Sequence, residues 1–291
     1  MKPAPFDYHA PATIEEAVAL LAELGDSAKV IAGGQSLVPM LALRLAVFEH
    51  LVDLRRLDGL RTIERRNGTL FIGAGTTQAT IEASSEVAGA VPLLARATPL
   101  IGHFQIRNRG TIGGSLAHAD PAAEYPAVAL ALDAELVAQS PSGQRTIPAA
   151  DFFHGTWDTD LAEDEVLVGI GFPVWEGRSG HAVEELARRH GDFALAGATV
   201  AVEVDGTGTV TRCGIGLLGL GSTPERAHDA EASVVGVTVG DVDAAELGSA
   251  AVARLGSVPS DLHASADYRR RVGATLVERA WTRAVAEALD G

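Results

Sequence analysis

The sequence predicts an α+β fold: a large N-terminal part, then a smaller α+β unit. Three observations carry this. Over the first hundred residues, short apolar runs alternate with glycine turns and amphipathic segments. Beyond about Gly177, two longer strand-like runs share a Gly-rich hairpin and are followed by two helical segments. Finally, 291 residues at 47% hydrophobic content can bury one large core or two smaller ones. Pro173, Gly177 and Gly180 cluster at the change, which divides the chain into residues 1–176 and 177–291.

The elements follow in order. Thr13 to Leu24 reads as a helix, with Thr13 as N-cap, Glu16 three residues on and Gly25 after the last apolar position. KVIAGG is a short strand stopped by a glycine pair. SLVPMLALRLAV is a helix if Pro39 lies in its first turn. HLVDL and TLFIGAGT are strands, and TQATIEAS opens a helix. Asn67-Gly68 and Ser142-Gly143 read as turns between strands. Pro126 to Ala138 reads as a helix running into a strand, and EVLVGIGFPV (165–174) as another strand. ATVAVEVDGTGTVTRCGIGLLGLG forms the hairpin around Asp205–Gly208, and helices span roughly Val242–Leu255 and Tyr268–Leu289.

Charge and cysteine content exclude several functions. With 23 basic and 38 acidic residues the net charge is −15, which disfavours nucleic acid and anionic lipid. Cys213 is the one cysteine, so this chain alone can build no disulfide, iron–sulfur cluster or cysteine-rich zinc site. The N-terminus lacks a signal-type apolar region, and no apolar run is long enough to span a bilayer. A cytoplasmic protein without membrane insertion is expected.

Two similar turns, AGGQS (32–36) and TIGGS (111–115), each place a Gly-Gly pair before a polar residue. Such pairs permit positive φ and leave backbone N–H groups bare, which suits an anion, and Ser36 and Ser115 add hydroxyls. A single turn of this kind is usually structural, but two in one chain could grip a diphosphate from two sides. Neither is a P-loop or a Rossmann fingerprint. GIGLLGLG (214–221) lies inside a hairpin strand and reads as sheet structure. His118 and Asp120 lack a third metal ligand, and Asp120-Pro121 is more simply a turn. Ser115 has no G-x-S-x-G context and no base partner. In RRHGDFALAG (188–197), Arg188, Arg189 and Asp192 read first as surface charge and Phe193 as core.

Taken together, KVIAGGQSLVPML, TIGGSLAHADPAAEYPA and RRHGDFALAG resemble the FAD-binding medium subunits of molybdenum hydroxylases, the group of xanthine, carbon monoxide and nicotine dehydrogenases. The resemblance covers nearly the whole chain. It implies the FAD-binding fold shared with vanillyl-alcohol oxidase: two α+β subdomains split near residues 55–60. A C-terminal α+β domain with a three-stranded antiparallel sheet and helices would then close over the flavin. It implies that Ala32, Gly33, Gly34, Gln35, Ser36 and Leu37, with Thr111, Ile112, Gly113, Gly114 and Ser115, hold the FAD diphosphate and ribityl chain. Glu124 and Asp120 are implied as polar contacts, Ile101 and the backbone at Leu167 as cleft lining, and Phe193 as the aromatic beside the ring. Glu184 stands roughly where xanthine dehydrogenase has a flavin-contacting lysine. No residue is implied as catalytic or metal-binding. FAD is expected to be noncovalent. Molybdopterin and two [2Fe-2S] clusters would sit in a large and a small partner subunit, in a dimer of heterotrimers, and an external acceptor would take the electrons. The alternative is a stand-alone flavoprotein reductase or dehydrogenase of the same fold.

Overall fold

The computed structural model describes residues 2–291. Its first unit comprises β1 (Asp7–His9), α1 (Ile14–Leu24), β2 (Ala28–Ile31), α2 (Leu37–Leu43) and β3 (His50–Asp53). Thr13 caps the helix as expected, its Oγ1 accepting from the Glu16 N–H at 3.2 Å, while the Glu16 side chain reaches back past the cap to accept from the Ala12 N–H at 2.8 Å. The strands make a parallel sheet in the order β1-β3-β2. Helix α2 is shorter than its apolar pattern. Arg44 takes a left-handed φ of 56° and stops it, while Pro39 sits harmlessly in the first turn.

The second unit contains β4 (Ile63–Arg66), β5 (Thr69–Gly73), α3 (Gln78–Glu82), α4 (Ser85–Ala90), α5 (Pro92–Ala97), α6 (Phe104–Arg107), α7 (Ile112–His118), α8 (Glu124–Ala131), β6 (Glu135–Ser140), β7 (Gly143–Pro148), β8 (Phe153–Gly155), β9 (Asp158–Thr159) and β10 (Val166–Pro173). Its five-stranded antiparallel sheet runs β4-β5-β10-β6-β7. Asn67 and Gly68 both have positive φ, as a tight hairpin turn requires. Leu70, Ile72, Leu136 and Ile170 project from the sheet into a core completed by Leu93, Leu94, Ile112, Leu116 and Val128 of the helices.

The third unit is β11 (Arg178–Leu186), β12 (Ala196–Val204), β13 (Val210–Leu218), β14 (Glu225–Arg226), α9 (His228–Val234), α10 (Ala244–Ala253) and α11 (Ala266–Asp290). The three long antiparallel strands match the expected sheet, and the two-residue β14 adds a fourth at the β13 edge. The α11 side chains Leu276, Val277, Ala280, Trp281 and Ala284 share a core with Val200, Val202 and Ile215 of the sheet.

The other face of this sheet packs on the second unit. A Cβ on Gly214 or Gly216 would lie 2.0 or 2.1 Å from the carbonyl oxygens of Ala131 and Ala127. The glycines of GIGLLGLG therefore let α8 rest directly on β13. A second tie is charged. Arg96 donates to the His181 carbonyl and to Glu287 at 2.6 Å, and Glu287 accepts from the His181 N–H at 2.9 Å. The hydrogen bond from Arg96 holds the Glu287 carboxyl below its ordinary range. Both side chains are over a third exposed, so Arg96→Ala is expected to cost only about 1 kcal/mol in urea unfolding. Because the Glu287 pKa is depressed, this stability is present at neutral pH and lost on acidification, so the variant's deficit should shrink below about pH 4.

Candidate functional site: a cleft between two glycine turns

The first glycine turn leaves the carboxyl end of β2 and leads into α2. Ligands of α/β units commonly bind at such strand ends. Gly34 has a φ of 73°, and the Gln35 side-chain amide donates to the Gly33 carbonyl at 2.9 Å, bracing the turn. Among the described residues, no backbone N–H from Gly33 to Leu37 has a protein acceptor. All five residues are half-buried. The result is a fixed row of bare donors, which is what an oxyanion needs.

The second turn works differently. The expectation of positive φ at both glycine pairs fails here: Gly113 and Gly114 lie in the first turn of α7, capped by Thr111. The Ile112 N–H donates to Thr76, that of Gly113 to Ala74, and those of Gly114 and Ser115 to Thr111, at 2.9–3.1 Å. These amides are committed. The glycines are there for close approach: a Cβ on Gly113 would sit 2.5 Å from the Ala74 Cβ, and one on Gly114 would sit 3.3 Å from the Ala32 Cβ. At Gly33 a Cβ would fall 2.1 Å from the Arg109 carbonyl oxygen. The two turns are thus in mutual contact, one supplying donors and the other a flat wall.

The remaining sequence-derived residues divide. Thr111 and Ile112 are buried, Thr111 as cap and Ile112 in the core, while Ser115 stays half-exposed. Leu167 is 5% exposed with its side chain in the core, so only its backbone could face a ligand. Ile101 is half-buried beside the core. Asp120 spends one oxygen on the Ala122 N–H at 2.9 Å, forming the turn before α8. His118 ends α7 with its ring 6.1 Å from that of Trp157, and burial lowers its pKa against the opposing charge of Asp120. The 188–193 loop reaches the Ile101 segment through His190, whose ring lies 5.8 Å from that of His103. Phe193 is not core as its residue type suggests: it is 68% exposed. Glu124 is buried in the first turn of α8, and burial, then the charge of Glu185, push its pKa to about 8. Glu184 faces away from the cleft toward α11, paired with Arg283.

Sequence reasoning missed Arg107. It is buried in α6, pairs with Glu82 at 2.7 Å, and donates to the carbonyls of Pro99, Ile101 and Gly102 at 3.3, 3.0 and 3.1 Å. Three carbonyls on one guanidinium fix the segment that carries Ile101. Glu185 and Trp157 were missed as well, since only the tertiary fold brings Trp157 beside His118 and lets the Glu185 charge act on Glu124.

A row of unpaired amides on one turn, with the second turn packed directly against it, fits a diphosphate cofactor. The pattern described as the FAD binding domain in molybdopterin dehydrogenase matches residues 4–175. That of the CO dehydrogenase flavoprotein C-terminal domain matches residues 181–284. This is an FAD-binding subunit of an oxidoreductase. The chain is 44% identical over 285 residues to the 6-hydroxypseudooxynicotine dehydrogenase complex subunit alpha of Paenarthrobacter nicotinovorans, covering 98% of this chain and 96% of the relative. It is 41% identical over 280 residues to the carbon monoxide dehydrogenase medium chain of Hydrogenophaga pseudoflava, covering 96% and 97%. A solved carbon monoxide dehydrogenase from that organism superposes with a TM-score of 0.95 at 42% identity, covering 99% of each chain. Quinoline 2-oxidoreductase from Pseudomonas putida 86 superposes at 0.92 with 36% identity, covering 99% and 100%. The chain belongs to the family of FAD-binding medium subunits of molybdenum hydroxylases.

Proposed function

We propose that the chain is the FAD-carrying electron-transfer subunit of a heterotrimeric molybdenum hydroxylase. Its partners are a large molybdopterin subunit and a small subunit with [2Fe-2S] clusters, assembled as a dimer of heterotrimers. When bound, FAD supplies the redox chemistry, accepting electrons from the partner's clusters and yielding them to an external acceptor. The row of bare amides from Gly33 to Leu37 carries this reading, because nothing in the protein uses them.

In this proposal the backbone of Ala32–Leu37 holds the diphosphate, with Ser36 adding a hydroxyl. Thr111–Ser115 forms the opposite wall, where Gly113 and Gly114 let the start of α7 pack against Ala74 and Ala32, and Ser115 offers a second hydroxyl. Ile101, Asp120, Glu124 and the Leu167 backbone border the cleft, and Phe193 can cover its mouth but cannot hydrogen-bond. The division at residues 1–176 and 177–291 belongs to the same reading: the C-terminal part closes the cleft and orients the 188–193 loop.

Gentle purification from the producing cells tests the assignment. The chain is expected to emerge yellow, with a molybdopterin-containing and an iron–sulfur-containing chain. A colourless chain recovered alone would overturn it. Noncovalent binding has its own check: acid precipitation should leave the flavin in the supernatant, and colour held in the pellet would contradict it.

A further inference from the structure

Two acids face the seam between the second and third units. Glu124 begins α8, is 9% exposed, and feels the charge of Glu185. Glu185 lies on β11, where strand alternation decides its direction. Glu184 pairs with Arg283 of α11, and Leu186 packs into the core shared with α11. Val183 packs instead against the core of the second unit, so Glu185, on the same face as Val183, points into the seam. Its Oε2 is buried and has no hydrogen-bond partner.

No cation neutralises the pair. Among the described residues, neither carboxyl closes an ion pair. Asp120, from the turn before α8, adds a further negative charge near Glu124. Arg107 and Glu82 stand together beyond Tyr125. On the α11 side, Tyr268, Arg271 and Arg279 line a groove of about 490 Å³ with Glu184 and Glu185, but none is paired with Glu185. Burial pushes Glu185 up to about 7, and burial with the Glu185 charge takes Glu124 to about 8. Two such carboxyls in one poorly solvated seam do not both ionise at neutral pH.

We propose that Glu185 is a second acid of the cofactor cleft, and that Glu124 and Glu185 hold one proton between them whose retention favours cofactor uptake. This rests on the FAD reading above. A ligand that covers the seam strips the pair of its remaining water, and a diphosphate adds negative charge. Both effects disfavour the ionised pair. Binding therefore takes up a proton, and affinity falls as pH rises through the range in which the pair ionises, by at most about tenfold per pH unit for one linked proton.

The test is a flavin-fluorescence titration of the full chain stripped of cofactor, from about pH 6 to about pH 9.5, spanning the range in which such a pair titrates. Wild type is expected to weaken steadily toward high pH. Glu185→Gln removes the partner charge, so its profile should flatten and its affinity near the alkaline end should exceed that of wild type by about tenfold. Calorimetry in two buffers of different ionisation enthalpy should read proton uptake in wild type and little in Glu185→Gln. A wild-type affinity independent of pH, or an unchanged profile in Glu185→Gln, overturns the proposal and leaves FAD binding intact. Failure to bind FAD at any pH overturns both.

Discussion

Gly33→Ala is expected to strip the chain of FAD. The added methyl would sit 2.1 Å from the Arg109 carbonyl oxygen and 2.7 Å from the Gly110 Cα. Neither is the end of a flexible side chain, so the two turns must part or the first must twist. Overpacking of this kind costs about 1–3 kcal/mol in a core and more where backbone must move. The affected part is the row of bare amides itself. FAD affinity should therefore fall by about 100-fold or more, equal to about 2.7 kcal/mol. Gly114→Asp attacks from the other wall, adding bulk against Ala32 and Thr111 and a charge that opposes the diphosphate. Flavin content after purification reads both, with circular dichroism confirming that the fold persists. Full occupancy in either variant would contradict the two-turn geometry.

Arg107→Ala is the second large effect. The guanidinium is 11% exposed and its partner Glu82 35%. Truncation leaves a partly buried carboxylate without its cation and removes the shared donor of three carbonyls. Loss of one partner of a buried pair costs about 3–5 kcal/mol, and the half-exposed Glu82 places this case near 3 kcal/mol. A lower urea midpoint with an unchanged slope is the expected signature. Arg107→Lys restores the charge but not the planar fork, so it should recover less than half of the loss. Because the Pro99–Gly102 segment carries Ile101, FAD affinity should drop by about tenfold as well, about 1.4 kcal/mol. A variant as stable as wild type would show that the segment is held by other contacts.

Local rules made much of the fold legible. Thr13 and Glu16 announce α1 because the cap and the acid that reaches back over it lie within one helical turn. Asn67-Gly68 announces its hairpin because positive φ is needed at both positions. The two glycine turns could be found as a pair, and they do lie against each other. Their division of labour was not legible. The same Gly-Gly pattern is a donor-bearing turn at 33–34 and a tightly packed helix start at 113–114. The difference comes from Ala74 and Thr76, in the turn after β5, whose carbonyls accept from Gly113 and Ile112, and from Thr111, which accepts from Gly114. Other misses share this cause. The three residues of β1 become a strand only by parallel pairing with β3, more than forty positions later. Arg107 gains its role only when Glu82 and three carbonyls surround it, and Glu185 only when the third unit is laid over the second. Exposure likewise reversed the reading of Phe193, whose apolar ring sits on a loop rather than in a core.

Hydrogen–deuterium exchange of the full chain, with FAD removed and with FAD restored, tests the central claim most directly. The amides of Gly33–Leu37 have no protein acceptor and should exchange readily without cofactor, then slow strongly with it. Those of Ile112–Ser115 already donate within the protein and should change little. Protection that appears at the first turn and spares the second is the result the account predicts. Protection absent from Gly33–Leu37, or concentrated instead in the α11 groove, would contradict it.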